Sequence, residues 1–268
     1  EDLLTSGFLE GRQLIIGPLH IRQFDRLSKR FGRDFDKVLV SPLSYKNAIT
    51  HFPNTYQVTP LSKTQLDTII GMIKAKHAED HIVIIGQEDE SNILNHTKVG
   101  LLASPNQVRF KQYILAPDDF PDKEKLYDVL DEKKNIVLIP SNNRSFVSRL
   151  LPMLGSMEDT SFTVYGLDSW NRFDNLDMND LVKLNLHIPS VLFSYPKDVY
   201  HDFVFQFYEK NSAYPSKYAF AAYKQVLFFV SKSFSDFYHF ENPRNYEGQL
   251  NTIFPIIHYK DYKQYLVK

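Results

Sequence analysis

The sequence predicts an α/β fold built from doubly wound parallel sheets. Short runs that are apolar on both faces recur along the chain, as buried parallel strands require. Each run ends in a polar corner, and most lead on to a segment of helical spacing, so that helices cover both faces of the sheets they return to. At 268 residues with 43% apolar side chains, the chain is long enough for one large domain or two lobes, each with its own core.

In order, "QLIIGP" (Gln13 to Pro18) reads as a strand leading into a helix near Arg22 to Phe31, whose basic stretch "RLSKRFGR" is its solvated face. "KVLVSP" (Lys37 to Pro42) is a strand leading into a loop. "HIVIIG" (His81 to Gly86) leads through a polar corner into a helix, and "RFKQYILA" (Arg109 to Ala116) leads into "DKEKLYDVL". "NIVLIPS" (Asn135 to Ser141) and "FTVYGL" (Phe162 to Leu167) follow the same scheme, and Asn142 or Asn143 is expected to cap a helix starting near Ser145. From Lys197 to Phe237 two long helices are expected. The first carries Val199, Tyr200, Phe203, Val204, Phe207 and Tyr208 as a core-facing stripe, and the second is capped by Ser216. "TIFPIIHYKDYKQYLV" reads as a hairpin or terminal strand pair.

Composition excludes several function classes. With 31 basic and 32 acidic residues, the formal charge of −1 gives no electrostatic footprint for nucleic acid. The absence of cysteine rules out disulfides, thiolate metal sites and a cysteine nucleophile, and is compatible with an oxidising compartment. No run approaches the ~18 apolar residues of a membrane span, and the opening residues carry no signal-peptide pattern. "HAEDH" spaces His77 and His81 at i, i+4, but the second histidine falls where a strand begins, so no metal or cofactor is expected. "DNLDMND" lacks the spacing of a calcium loop and reads as a capped helix start. No nucleophile elbow, P-loop or dinucleotide fingerprint occurs, which argues against a nucleotide-binding enzyme; an α/β enzyme of another kind would need a deep pocket holding a carboxylate of raised pKa.

In open α/β sheets, ligands gather at the carboxyl ends of strands. The residues standing there are Ser41, Ser44 and Tyr45 after the second strand, and Gln87, Glu88, Asp89 and Glu90 after "IVIIG". Ser141, Asn142 and Asn143 follow "IVLIP", and Asp168, Ser169 and Trp170 follow "TVYGL". Neutral donors suit a carboxylate or hydroxyl groups, Asp168 suits an ammonium, and Trp170 offers an apolar wall. Serine and asparagine at such corners also serve simply as helix caps, and only convergence of several corners favours binding.

"LIIGPLH", "VLVSPLS", "YQVTPLSKTQ" (Tyr56 to Gln65), "TVYGLDSW" and "FYEKNSAYPSKYAFAAYKQVLFF" together resemble the type I periplasmic binding proteins, in the leucine/isoleucine/valine-binding branch. The likeness extends over nearly the whole chain. It implies two doubly wound parallel-sheet lobes joined by a three-crossing hinge that closes on a solute. Lobe I would comprise residues 1–79 with 196–238 and lobe II residues 80–195 with 239–268. The crossings would fall near His77 to His81, His187 to Pro196 and Tyr238 to Asn245. Ser41, Ser44, Tyr45 and Ser62 would contribute from lobe I, and Gln87, Ser141, Asn142, Asp168 and Trp170 from lobe II.

Three departures stand out. The family opens with a strand, a helix and a second strand before the segment matching "LIIGP", and nothing here matches them; the expectation is a mature or trimmed chain with a missing N-terminal part. Leu61 stands where the family often has a ligand-binding hydroxyl, with Ser62 and Lys63 beside it, and Lys224 stands where an acid is common. These bear on an amino-acid-like ligand more than on the fold. The resemblance implies a non-catalytic solute-binding protein of the periplasm or cell envelope that serves a membrane transporter, with lipid anchoring through an absent N-terminus as one form. The alternative is a degenerate relative acting as a structural or interaction module beside a peptidoglycan-associated partner.

Overall fold

The computed structural model describes residues 4–46, 49, 51–103, 107–192 and 200–267. Packing divides the chain into two compact units, Glu1–Leu61 with Val191–Phe254, and Ser62–Ser190 with Pro255–Lys268.

The first unit holds a five-stranded sheet in the order β1 (Leu14–Ile16), β2 (Val38–Ser41), β3 (Thr55–Gln57), β10 (Gln249–Asn251), β9 (Phe240–Glu241). All neighbours are parallel except β9 on β10. Strand alternation sends β2 to two cores at once. Leu39 joins Phe24, Leu27 and Phe31 of helix α1 (Ile21–Phe31), whose i, i+3, i+7 spacing makes one stripe. Val40 points to the opposite core, with Val58, Phe237, Tyr238 and Phe228 of helix α8 (Lys217–Ser231). The result is a doubly wound layer, as the sequence predicts, and Ser216 caps α8 by accepting from the Ala219 amide at 3.3 Å.

The second unit holds a seven-stranded sheet in the order β12 (Lys263–Leu266), β11 (Ile256–Lys260), β8 (His187–Pro189), β7 (Ser161–Tyr165), β6 (Lys134–Leu138), β4 (His81–Gln87), β5 (Phe110–Leu115). The five strands from β8 to β5 are parallel, whereas β11 and β12 add an antiparallel edge. Ile82 to Ile85 and Ile136 to Ile139 are buried on both faces, which explains their unbroken apolar runs. The unit's helices are α2 (Ser62–Lys76), α3 (Ser91–Leu102), α4 (Lys123–Tyr127), α5 (Arg144–Gly155) and α6 (Met178–Lys183). The terminal hairpin turns at Asp261 and Tyr262, both at positive φ as a two-residue turn of this twist demands.

Three expectations are corrected. The segment 239–254 was assigned to lobe II, but β9 and β10 hydrogen-bond into the first sheet beside β3. Residues 62–79 are expected in lobe I and 191–195 in lobe II, but the division falls at Ser62 and Val191, and α2 packs with the second unit: its Ile70 lies where a side chain on Gly100 of α3 would have to be, 2.8 Å from the added carbon. The first of the two long helices, α7 (His201–Asn211), buries none of its residues. Of the expected stripe, Tyr200 is buried just before the helix, Phe203 stacks on Tyr223 of α8 at 4.2 Å with both rings half-buried, and Val199 lies outside the described residues.

Candidate functional site

The carboxyl ends of β4, β6 and β7 form one polar rim in the second unit. β6 ends where Pro140 turns the chain tightly enough for the Ser141 amide to reach Ile139 O at 2.9 Å. The backbone then opens into α5, whose first-turn amides need acceptors. Asn143 supplies one, its Oδ1 accepting from the Phe146 amide at 3.2 Å. The same side chain donates through Nδ2 to Gln87 Oε1 at 2.8 Å, and Gln87 Nε2 donates to Pro117 O at 3.1 Å. One asparagine thus caps a helix and ties the ends of two adjacent strands together.

β7 ends at Gly166, where an added Cβ would lie 2.5 Å from the indole of Trp170. Glycine is required there because the indole lies against the backbone. The buried Trp170 donates from Nε1 to Ser141 O at 2.8 Å, joining the third strand end to the network. Asp168 opens the short 3₁₀ turn carrying this tryptophan; it is only 1% exposed, and its amide donates to Gln65 Oε1 of α2 at 3.1 Å. Its carboxylate accepts from Asn171 Nδ2 at 3.3 Å, and that amide also reaches Pro189 O at 2.9 Å.

Glu90 completes the rim. The turn Glu88–Glu90 carries its side chain across to β6, where Oε1 accepts from the Asn142 amide at 2.9 Å. Its other oxygen, Oε2, is buried and makes no hydrogen bond, and burial raises this carboxyl above the usual carboxylate range despite the Ser141 hydroxyl and the Asn142 amide beside it. Ser169 Oγ is likewise buried without a partner.

The structure therefore brings Gln87, Ser141, Asn142, Asp168 and Trp170 to one rim. It buries four of them, leaving Asn142 exposed and Glu90 partly so. Ser62 is the half-buried first residue of α2. Ser41 and Ser44 belong to the first unit: Ser41 is buried at the end of β2, and Ser44 closes a turn on Lys46. Tyr45 follows half-buried. The ligand set expected from the sequence does not include Glu90, Asn171 or Gln65; the signal for Glu90 is its place in the strand-end corner after Gly86.

A second polar cluster gathers on the side chain of Tyr165, the last residue of β7. His77 Nδ1 meets Asp80 Oδ2 at 2.7 Å while its Nε2 meets the Tyr165 hydroxyl at 3.0 Å. The order of groups is that of an acid–base relay, but Tyr165 is 1% exposed and burial pushes its phenol up to about 12. The cluster acts as a buried hydrogen-bond clamp. Among the described residues no group of three or more histidines and carboxylates could hold a metal, and no helix is long and apolar enough to cross a membrane.

No family model matches the sequence, and no curated protein matches it. Solved structures do. An ABC transporter substrate-binding protein of Desulfitobacterium hafniense superposes with a TM-score of 0.64 at 13% identity, covering 96% of this chain and 81% of that one. The branched-chain amino acid transporter substrate-binding protein LivJ of Streptococcus pneumoniae, solved with isoleucine, gives 0.57 at 11% identity, over 99% of this chain and 82% of that one. LpoA of Haemophilus influenzae gives 0.59 at 8% identity, over 99% of this chain and 50% of that one. What these proteins share with this chain is a fold of two α/β lobes, that of the type I periplasmic binding proteins.

Proposed function

We propose that the protein is a non-catalytic solute-binding protein of the cell envelope, and that the strand-end rim of the second unit carries contacts to a small polar, amino-acid-like ligand. The observation behind this reading is the convergence of three strand ends on one network, in which Glu90 keeps a buried carboxylate oxygen without a hydrogen-bond donor. Buried polar atoms are usually hydrogen-bonded, so this oxygen offers an acceptor to a ligand's donor. The neighbour solved with isoleucine supports the same substrate class, and the transporter named for both neighbours supports a membrane transporter as the partner. The proposed ligand set retains Ser41, Ser44, Tyr45, Ser62, Gln87, Ser141, Asn142, Asp168 and Trp170 and adds Glu90.

The likeness to LpoA favours one second reading, a degenerate relative serving as a structural or interaction module in an envelope lipoprotein. Thermal unfolding against a panel of amino acids, short peptides and sugars separates the two. A solute present at about a hundred times its Kd stabilises by ~2.7 kcal/mol, a shift of several degrees. A response to one chemical class, lost in Glu90→Gln, is the expected result. Silence across the panel supports the module.

A further inference from the structure

A pocket of about 530 Å³ opens in the second unit at the amino-terminal ends of β6 and β7, the end opposite the rim described above. Its floor is apolar, from the buried Met157 and half-buried Leu130, with the exposed ring of Tyr127 as one wall. Its volume lies within the ~300–1,000 Å³ of small-molecule sites.

The pocket's walls are held in place. Asn135, fully buried at the start of β6, accepts from the Asp131 amide and donates to Asp131 O, both at 2.8 Å, and donates to Thr160 Oγ1 at 3.0 Å. Thr160 Oγ1 in turn donates to Asp131 O at 2.8 Å, so the loops before the two strands are fastened to each other by side chains. The Lys133 amide bonds Asp131 Oδ1 at 2.9 Å and holds that carboxyl below the usual carboxylate range.

Charge identifies the occupant. Asp131, Glu132 and Asp159 line the pocket against a single lysine, Lys133, and among the described residues none of the four makes an ion pair. Three carboxylates outside any ion pair around an apolar floor attract a cation and repel an anion. An aromatic wall adds to the attraction for an organic cation. A single basic side chain from a partner would leave most of the volume empty, and an inorganic cation would leave the apolar floor uncovered. We propose that this pocket is a second binding site, selective for a small organic cation with an apolar body, and independent of the strand-end rim.

Phenethylammonium, 2-phenylethanol and 3-phenylpropionate share a phenyl body and differ in charge, which makes them the probes for a backbone-amide NMR titration of the intact chain. The expected result is saturable shifts with the cation at Leu130, Glu132, Lys133, Asp159 and Thr160. The alcohol should bind about tenfold more weakly, and the anion should give no shift. Asp131→Asn combined with Asp159→Asn should lower the cation's affinity about tenfold with the remaining spectrum unchanged. Glu132→Gln, on an exposed side chain, reads the same effect should the double variant misfold. Equal binding of cation and alcohol would overturn the proposal, as would no saturation, shifts confined to Gln87, Asn142 and Asn143, or binding of tetralysine while phenethylammonium is silent.

Discussion

At Glu90, position and charge oppose each other. Its carboxylate is drawn partly out of water with the Asn142 amide on Oε1 and the Ser141 hydroxyl beside it, while Oε2 is buried without a hydrogen bond. Because burial raises the folded carboxyl above its unfolded value, its contribution to stability is present below the unfolded pKa and is lost as pH rises through the folded one. At neutral pH the ionised residue therefore costs stability. Glu90→Gln keeps an acceptor for the Asn142 amide and removes the charge, so thermal unfolding at pH 7 should show a gain on the order of 1 kcal/mol. The gain should fade below about pH 4, where the wild-type carboxyl is protonated. A lower melting temperature for the variant at pH 7 would refute this account. A variant that gains stability and loses the solute response marks Glu90 as kept for binding.

The helix α5 owes its start to one residue of a polar triplet. Asn143 both caps the Phe146 amide and bonds Gln87, so Asn143→Ala removes two interactions and should cost about 1–2 kcal/mol in denaturant unfolding. Asn142 presents only its backbone amide to Glu90 and is exposed, so Asn142→Ala should stay within about 0.5 kcal/mol. Equal losses would show that the cap has been misassigned. The sequence alone left the choice between them open, because both are good capping residues; the turn at Pro140 decides it. β4, β6 and β7 were legible because burial on both faces leaves an unbroken apolar run. β9 and β10 were not, since strands of two and three residues carry no period of their own and owe their place to β3, far away in sequence. The rim's position followed from strand ends, yet its depth did not. Glu88, Asp89 and Glu90 stand together in the strand-end corner after Gly86, and nothing in the sequence separates them; the 3₁₀ turn carries the third across to β6. Likewise the stripe predicts a buried face, whereas Tyr200 just before α7 is buried and Phe203, Val204 and Phe207 within it stay half-buried, Phe203 against the rings of α8.

At the scale of the whole chain, each unit is assembled from separated stretches, and the second is completed only when residues 255–268 add β11 and β12 beside β8. That junction buries a titratable ring. His187 of β8 lies 5.1 Å from the Tyr165 ring of β7 and 5.2 Å from the His258 ring of β11, with His77 and Lys76 from the end of α2 facing it as further basic groups. Its Nδ1 donates to Asn185 O at 2.7 Å, which fixes the neutral tautomer. Burial, first, and the neighbouring positive groups lower its pKa from 6.5 to about 4, and His258 is lowered too. Between these values the unfolded chain binds a proton that the folded chain refuses. Stability is therefore complete above about pH 6.5 and falls as pH drops towards 4, by about 3 kcal/mol for His187 alone. Asp80 acts in a lower window: the bonds from Lys134 and His77 depress its carboxyl, so its contribution persists until the pH falls below the ordinary carboxylate range. Denaturant unfolding at stepped pH should thus show a slope between 6.5 and 4 that His187→Phe flattens, while imidazole NMR finds His187 still neutral at pH 5. A flat wild-type profile, or protonation of His187 near its unperturbed value, would mean that β11 does not seal this junction in solution.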